Sequence, residues 1–439
     1  MVNYLTEKQL TFDLSYHHDL DNNDNFSSDG KWLVYDTRTD EGGIPESARI
    51  EKVNIETGEV RTIFEIPDNA KWGPGAGAVS YNPVANEVIF IHGLPNCSEA
   101  NPYQQWRRTG VIVRDSDPGK PVFMDARNTM YPFTPGALRG GTHRHEWSGD
   151  GQWIGFTYND AILKALEDTS GTKHNLRTIG VSKNIGAVRV PDSPGNVTGE
   201  WFSVLVVRVV PKPRPGSDEI NHAANDSWVG KNGYAKPDGS LQIARAFLGT
   251  VIDSKGNEVP EVFVVDIPDD ITKPGSLGPL EGTATDFPMP PAGTVERRIT
   301  FTSDSTFPGC SGIVRSSPDG SRLAFLAKDL KGITQIFTIS PLGGEALQVT
   351  DHESDVTGNV RWHPGGRYIA YVWKERIMLC EIGNAAVPQR IRALIAPSGQ
   401  APANLVWSHD GEVLAYNRLV ADLSTGKKTQ QIFLLRNII

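Results

Sequence analysis

The chain has 439 residues, 38% hydrophobic and 22% charged, with a formal net charge of −9. That balance argues against nucleic acid as the main partner, because phosphate binding needs a clustered basic face. The 44 glycines and 30 prolines favour many short elements joined by turns, and the three scattered cysteines, Cys97, Cys310 and Cys380, supply neither a disulfide framework nor a zinc cluster.

In chain order, the first stretch (MVNYLTEKQLTFDLS) lacks a basic segment followed by an apolar one, so no secretory leader is expected and a cytoplasmic location is. Within it, EKQLTF reads as a strand; His17 and His18 follow in what reads as a polar loop. A unit then recurs: a tight Ser/Pro/Asp/Gly turn followed by an alternating apolar strand. It is FSSDGKWLVY at 26–35, WSGDGQWIGF at 147–156, SSPDGSRLAF at 316–325, WHPGGRYIAY at 362–371 and WSHDGEVLAY at 407–416, with a degenerate copy, YNPVANEVIF, at 81–90. The turn residues supply local hydrogen bonds and positive φ, and the apolar alternation marks a strand inside a sheet. After each copy come about two further strands, as in ARIEKVNIETGEVRTIF (48–64), GITQIFTISPLGGEALQVT (332–350) and TQQIFLL (429–435).

Four strands per unit is the pattern of a β-propeller blade. Six units are visible. The long interval from Asp150 to Asp319 holds strand-rich segments without the turn, GEWFSVLVVRVV (199–210) and EVPEVFVVDIP (258–268), which read as a disguised seventh. The expectation is therefore an all-β, seven-bladed propeller in one domain spanning 1–439. The last unit is one strand short, and pairing with the N-terminal strand would close the ring and hide an aggregation-prone edge. Insertions are expected at about 160–180, with a short helix at its start, at 211–240 as a long loop, and at 270–295 as a surface crossing. Asp218 and Glu219 read as ligands, as acid/base groups or, the favoured reading, as a cap on a short helix beginning near Ile220. The most apolar run, Phe202 to Val210, is too short to span a membrane.

One copy departs from the repeat with chemistry-bearing side chains: RGGTHRHEW (139–147) carries His143 and His145. Residues two apart on a strand face the same side, with Cα atoms ~6.5–7 Å apart, so two imidazoles so placed would converge on one ion. A third ligand is needed, and His92, His222 and His352 with Asp355 are the candidates; His222 and His352 are preferred. Imidazole and oxygen donors suit manganese or zinc better than calcium. The pair also serves as a candidate proton-transfer site, with Arg139 and Arg144 flanking it as carboxylate ligands. The structural alternative is packing, because His145 aligns with Val360 and Leu405 at positions between blades. His363 and His409 occupy turn positions and read as structural, and Tyr131 and Tyr158 are either substrate donors or core. No G-x-S-x-G elbow and no Walker or G-x-G-x-x-G loop occurs, so neither a serine-hydrolase module nor a nucleotide or flavin cofactor is expected.

The turn-and-strand units resemble the TolB-like propeller repeat. YPFTPGALRGGTHRHEWSGDG, GFTYND, PGSDEINHA, VPEVFVVDIP and VERRITFT resemble a bacterial domain-of-unknown-function family, the YidR-like family, over nearly the whole chain. The propeller is also similar to oligogalacturonate lyases. That resemblance implies a β-eliminating enzyme acting on uronate-containing oligosaccharides with a divalent metal, usually manganese, held by histidines and a glutamine. His143 and His145 match the H-x-H of that metal site, whereas Gly140 stands where those enzymes have the glutamine, and the pair falls in an early blade rather than a late one. The TolB likeness implies the alternative, a non-catalytic propeller that binds a protein or cell-envelope component.

Overall fold

The repeat turns form as their chemistry dictates. In the first copy the Ser27 hydroxyl donates to Asp29 Oδ1 (2.7 Å), the Trp32 amide donates to Ser27 Oγ (3.0 Å), and Gly30 takes φ 70°. Ser148, Asp150 and Gly151 repeat the arrangement, as do Ser317, Asp319 and Gly320, and Ser408, Asp410 and Gly411. Each glycine supplies the left-handed conformation that a side chain would resist.

In this computed structural model, which describes residues 4–21, 24–39, 43–383 and 390–439, each turn joins the first two strands of a four-stranded antiparallel sheet. Seven such sheets form among the described residues, arranged as a β-propeller. Their first strands are His17–Asp19, Ala76–Tyr81, Gly140–Trp147, Ile220–Trp228, Cys310–Ser316, Val356–Trp362 and Ala403–Trp407, in blades 1 to 7. First strands of successive blades contact one another between blades 2 and 3 and from blade 4 through to blade 7, and the first strands of blades 7 and 1 are tied by the Asn404 side-chain amide donating to Asp19 Oδ1 (2.8 Å). We call the face carrying the Ser/Asp/Gly turns the lower face.

Closure follows the expected route. Lys8–Gln9 pairs antiparallel with the last strand, Lys428–Arg436, placing Lys8 opposite Leu434 and Gln9 opposite Phe433, and the Leu10 amide donates to the Ile432 carbonyl (2.8 Å). Blades are packed through apolar layers, such as Leu10, Tyr35, Val406 and Leu434 at the closure. They are also stitched by indoles: Trp228 Nε1 donates to the Glu146 carbonyl (2.9 Å) and Trp362 Nε1 to the Arg315 carbonyl (3.0 Å), each reaching into the preceding blade.

Four expectations change. The disguised blade is not built from both apolar segments: Phe202–Leu205 is the outer strand of blade 3, and Glu258–Asp266 is the third strand of blade 4. The first strand of blade 4, Ile220–Trp228, lies inside the stretch expected as the loop 211–240. Its polar sequence, INHAANDSW, hides it, because a channel-lining strand needs no full apolar face. Asp218 and Glu219 therefore precede a strand and cap no helix; Asp218 sits 3.6 Å from Arg298, and Glu219 accepts the Arg214 amide. His17 and His18 likewise belong to a first strand, with His18 buried against Tyr35 at 5.0 Å between ring centroids.

The helix expected near 160 is Ala161–Ser170, capped by Asp160, whose carboxylate accepts the Leu163 amide, and ended by Gly171 at φ 67°. No helix among the described residues is long and apolar enough to cross a membrane.

Candidate functional site at the upper mouth of the channel

His143 and His145 do not present two imidazoles side by side. Arg144 adopts φ 50° and the ladder between the first two strands of blade 3 shifts register between His143 and Glu146. This bulge breaks the two-residue alternation on which convergence depended. His145 is fully buried against Gly110 and Met124 of blade 2 and Phe156 of its own blade, and its Nε2 contacts the Thr142 hydroxyl at 2.9 Å. Burial holds its pKa down at about 3, with Arg108 adding repulsion, so the ring is neutral. It packs between blades, as Val360 and Leu405 do at the aligned positions.

His143 is also buried, and both its nitrogens are engaged. Arg108 Nη1 lies 2.9 Å from Nδ1, and Asn159 Oδ1 lies 3.1 Å from Nε2. A guanidinium only donates, so Nδ1 accepts and the proton sits on Nε2. Burial, reinforced by Arg108 and Arg177, drives its pKa well below the ordinary value. Arg177 donates to the same Asn159 oxygen (3.2 Å), so Arg108, His143, Asn159 and Arg177 form one chain of bonds from blade 2 across blade 3. The Tyr103 ring lies 4.8 Å from the Arg108 guanidinium carbon.

His222 adjoins this chain. The Ala223 amide donates to the Arg177 carbonyl (3.0 Å), which sets the first strand of blade 4 beside Arg177. His222 is exposed on that strand, and its pKa is lowered by partial desolvation and by the Arg177 and Lys173 charges. Its imidazole is therefore neutral near pH 7 and open to solvent.

Across the mouth, Arg38 is gripped by three carboxylates: Asp36 at 2.9 Å, Asp21 at 3.2 Å and Asp19 at 3.7 Å. Burial pushes the Asp21 carboxyl up to about 7 against the Arg38 charge, with Asp19 and Asp36 adding to the rise. Sequence reading missed Arg38, Arg108, Arg177 and Asn159, which lie on different strands and loops and carry no local motif. A basic or amide residue at a strand end facing the channel was the only signal available.

The other expected site residues lie elsewhere. Arg139 is fully buried, paired with Asp160 (2.8 Å), and donates to the carbonyls of Thr283 and Asp286, pinning the 270–295 crossing onto blade 3. Arg144 reaches Asp226 of blade 4 (3.7 Å), lower in the channel. His352 stacks on Trp373 (4.2 Å) and contacts the Tyr371 hydroxyl at 2.7 Å, between blades 5 and 6. His92 bonds the Gly93 carbonyl (2.5 Å) between Phe64 and Phe123, and Asp355 accepts the Thr334 amide. His363 and His409 hold turns, through Gly365 and the Phe26 carbonyl respectively. Tyr158 is core, bonded to Asp160, whereas Tyr131 is 83% exposed.

These positions test the metal expectation. Among the described residues no group of three or more His, Cys, Asp or Glu side chains is placed to hold an ion. His143 has no lone pair to spare and faces two guanidiniums, whose charge opposes a cation. The donor set at 143, 145, 222 and 352 does not fit a manganese or zinc ion.

The fold and channel define a β-propeller whose upper mouth carries arginines, a buried neutral histidine and an exposed one. Residues 75–196 match the family described as a protein of unknown function, DUF3748. The chain is 38% identical over 416 residues to the uncharacterised protein YidR of Escherichia coli K12, covering 93% of this chain and 94% of that one. It belongs to the YidR family. Among solved structures it is similar to an oligogalacturonate lyase in complex with manganese, with a TM-score of 0.56 at 12% identity over 98% of this chain and 93% of that one. It is also similar to a puromycin-hydrolysing peptidase of Mycobacterium tuberculosis, with a TM-score of 0.52 at 11% identity over 98% of this chain and 56% of that one. At such identities the likeness is one of fold.

Proposed function

We propose that the upper mouth binds a uronate-containing oligosaccharide and cleaves it by β-elimination, with His222 as the base. The observation that carries this reading is His222 itself: an exposed, neutral imidazole on the channel wall beside Arg177. Elimination needs a cation to neutralise the uronate carboxylate, which acidifies the adjacent C5–H, and a base to take that proton. Arg177, with Arg108 behind it, supplies the first and His222 the second.

The electrons of the C5–H bond form the C4=C5 double bond as the C4–O bond breaks. The imidazolium then returns its proton to the departing oxygen. A bound carboxylate also offsets the Arg177 charge that lowers the His222 pKa, so substrate strengthens its own base. His143 holds no reacting proton in this scheme; it fixes Arg108 and, through Asn159, Arg177.

Incubating the protein with galacturonate and glucuronate oligomers tests this reading through the ultraviolet absorbance of the unsaturated product. Activity that falls ~10²–10⁴-fold in His222→Ala is expected. No new absorbance on any uronate oligomer overturns it.

A further inference from the structure

Elimination at the upper mouth moves one proton twice, from C5 to His222 and from the imidazolium to the oxygen leaving C4. The second transfer fixes the stereochemistry. Delivered from the side that removed it, the proton requires hydrogen and oxygen to leave one face of the ring. Delivered by an acid on the opposite side, it requires them to leave opposite faces.

The surroundings of His222 are one-sided. The charges acting on its imidazole are those of Arg177, Lys173 and Glu258. Arg177 and Lys173 belong to the segment of blade 3 between its helix and the strand Thr178–Lys183. Glu258 opens the third strand of blade 4 and accepts the Asn221 side-chain amide (2.8 Å). Arg177 keeps its proton as a guanidinium, so the exposed Lys173 ammonium is the one further donor in this group. It stands with His222 on the side of blades 3 and 4.

The proton carriers of the other blades are engaged elsewhere. Asp21 follows the first strand of blade 1, three blades from blade 4, the widest separation that a ring of seven allows. Its carboxyl closes on Arg38 (3.2 Å), and its charge is not among those acting on His222. An acid and a base working across one C4–C5 bond would feel each other's charge. The Tyr103 hydroxyl is shut off from solvent, and burial pushes its pKa up to about 12. His143 holds its one proton on Nε2, bonded to Asn159 (3.1 Å). Among the described residues, delivery to the leaving oxygen therefore falls to the side that removes the proton.

Such an elimination is syn, and it needs the C5 hydrogen and the C4 oxygen on the same ring face. D-Glucuronate and D-mannuronate have that arrangement. D-Galacturonate, the C4 epimer of the first, and L-guluronate, the C5 epimer of the second, have the two on opposite faces. Resting on the reading of His222 as the base, we infer that the upper mouth turns over uronates of the glucuronate and mannuronate type and not their galacturonate and guluronate epimers. The C5–H pair becomes the C4=C5 double bond, the C4–O pair leaves with the oxygen, and the abstracted proton completes its hydroxyl. No further reactant is consumed.

Two epimer pairs, each matched in oligomer length, test this by the ultraviolet absorbance of the unsaturated product: glucuronate against galacturonate, and mannuronate against guluronate. In each pair that is turned over, kcat is expected to be ~10²-fold or more higher for the first member, because a misplaced proton donor forfeits that much. KM should differ less, since the carboxylate is held alike. Equal or faster turnover of galacturonate or guluronate in either pair overturns the inference and leaves His222 as the base. Galacturonate turnover that is lost in Asp21→Asn overturns it too, by placing the acid on blade 1. No cleavage of any of the four overturns the reading of the mouth itself, and the inference falls with it.

Discussion

Arg108 Nη1 approaches His143 Nδ1 at 2.9 Å, and that contact decides what His143 is. A histidine that accepts from a permanent cation on one side and donates to Asn159 on the other is a fixed, neutral linker between blades 2 and 3. It is placed to orient arginines.

The first prediction concerns that linker. His143→Ala removes the acceptor of the Arg108 bond, takes one of two donors from the Asn159 oxygen and opens a cavity, at a cost of roughly 2–4 kcal/mol. Urea unfolding measures it. Nitrogen NMR of the wild type should show a neutral ring protonated on Nε2 at pH 6.

Acid sensitivity follows from the same burial. His143, His145 and His18 are held below the ordinary value in the folded state, His145 at about 3 and His18 at about 4, chiefly by desolvation. Above about pH 6.5 both folded and unfolded chains keep them neutral, and their contribution does not change. Below it the unfolded chain takes up protons that the folded one refuses, so stability falls by up to about 1.4 kcal/mol per pH unit for each histidine. Denaturant midpoints between pH 7 and pH 5 should drop accordingly, and His145→Gln should flatten the slope.

Gly155 faces Arg245 so closely that a Cβ there would lie 2.4 Å from the guanidinium carbon. Gly155→Ala displaces Arg245 from Glu146 and Asp226, and the disturbed buried charges cost on the order of 3–5 kcal/mol. Thermal unfolding should show a lower Tm for Gly155→Ala, whereas Gly43→Ala, exposed, at φ −86° and with only an ordinary contact to Pro45 at 3.8 Å, costs far less.

Removing residues 4–10 strips the closing strand and bares the edge at Phe433 and Leu434. The truncated chain should lose stability and aggregate with concentration, since an open, apolar strand edge templates further pairing. Light scattering against protein concentration, compared with the full chain, checks this.

The ring of blades was legible in the sequence because it rests on local physics. Ser-x-Asp-Gly turns and apolar alternation each act within about ten residues, and they recur often enough to count. The first strand of blade 4 escaped because Asn221, His222, Asn225 and Asp226 break the apolar pattern, and the Asp238-Gly239 turn of this unit closes a small inserted hairpin, Tyr234–Ala235 with Leu241–Gln242, instead of leading straight into the second strand.

The candidate site was legible only in part. His143, His145, His222 and Arg144 were singled out, but as metal ligands or carboxylate holders, and Arg108 and Arg177 were not seen. The bulge at Arg144 is set by pairing with strand Trp153–Asp160, and a sequence window does not display it. Arg139 looked like a ligand for substrate and is instead locked to Asp160 and the Thr283–Asp286 turn, more than 140 residues away.

Sequence alone thus determined the architecture: turn chemistry and a two-residue apolar period specify blades, and an unpaired last blade specifies closure by the N-terminal strand. Which side chains meet in the channel was decided by tertiary structure. His143 finds Arg108 across 35 residues and Arg315 finds Glu146 across 169, because neighbouring blades bring distant strands side by side. Burial there sets the protonation of each histidine, and burial exists only once the ring has closed.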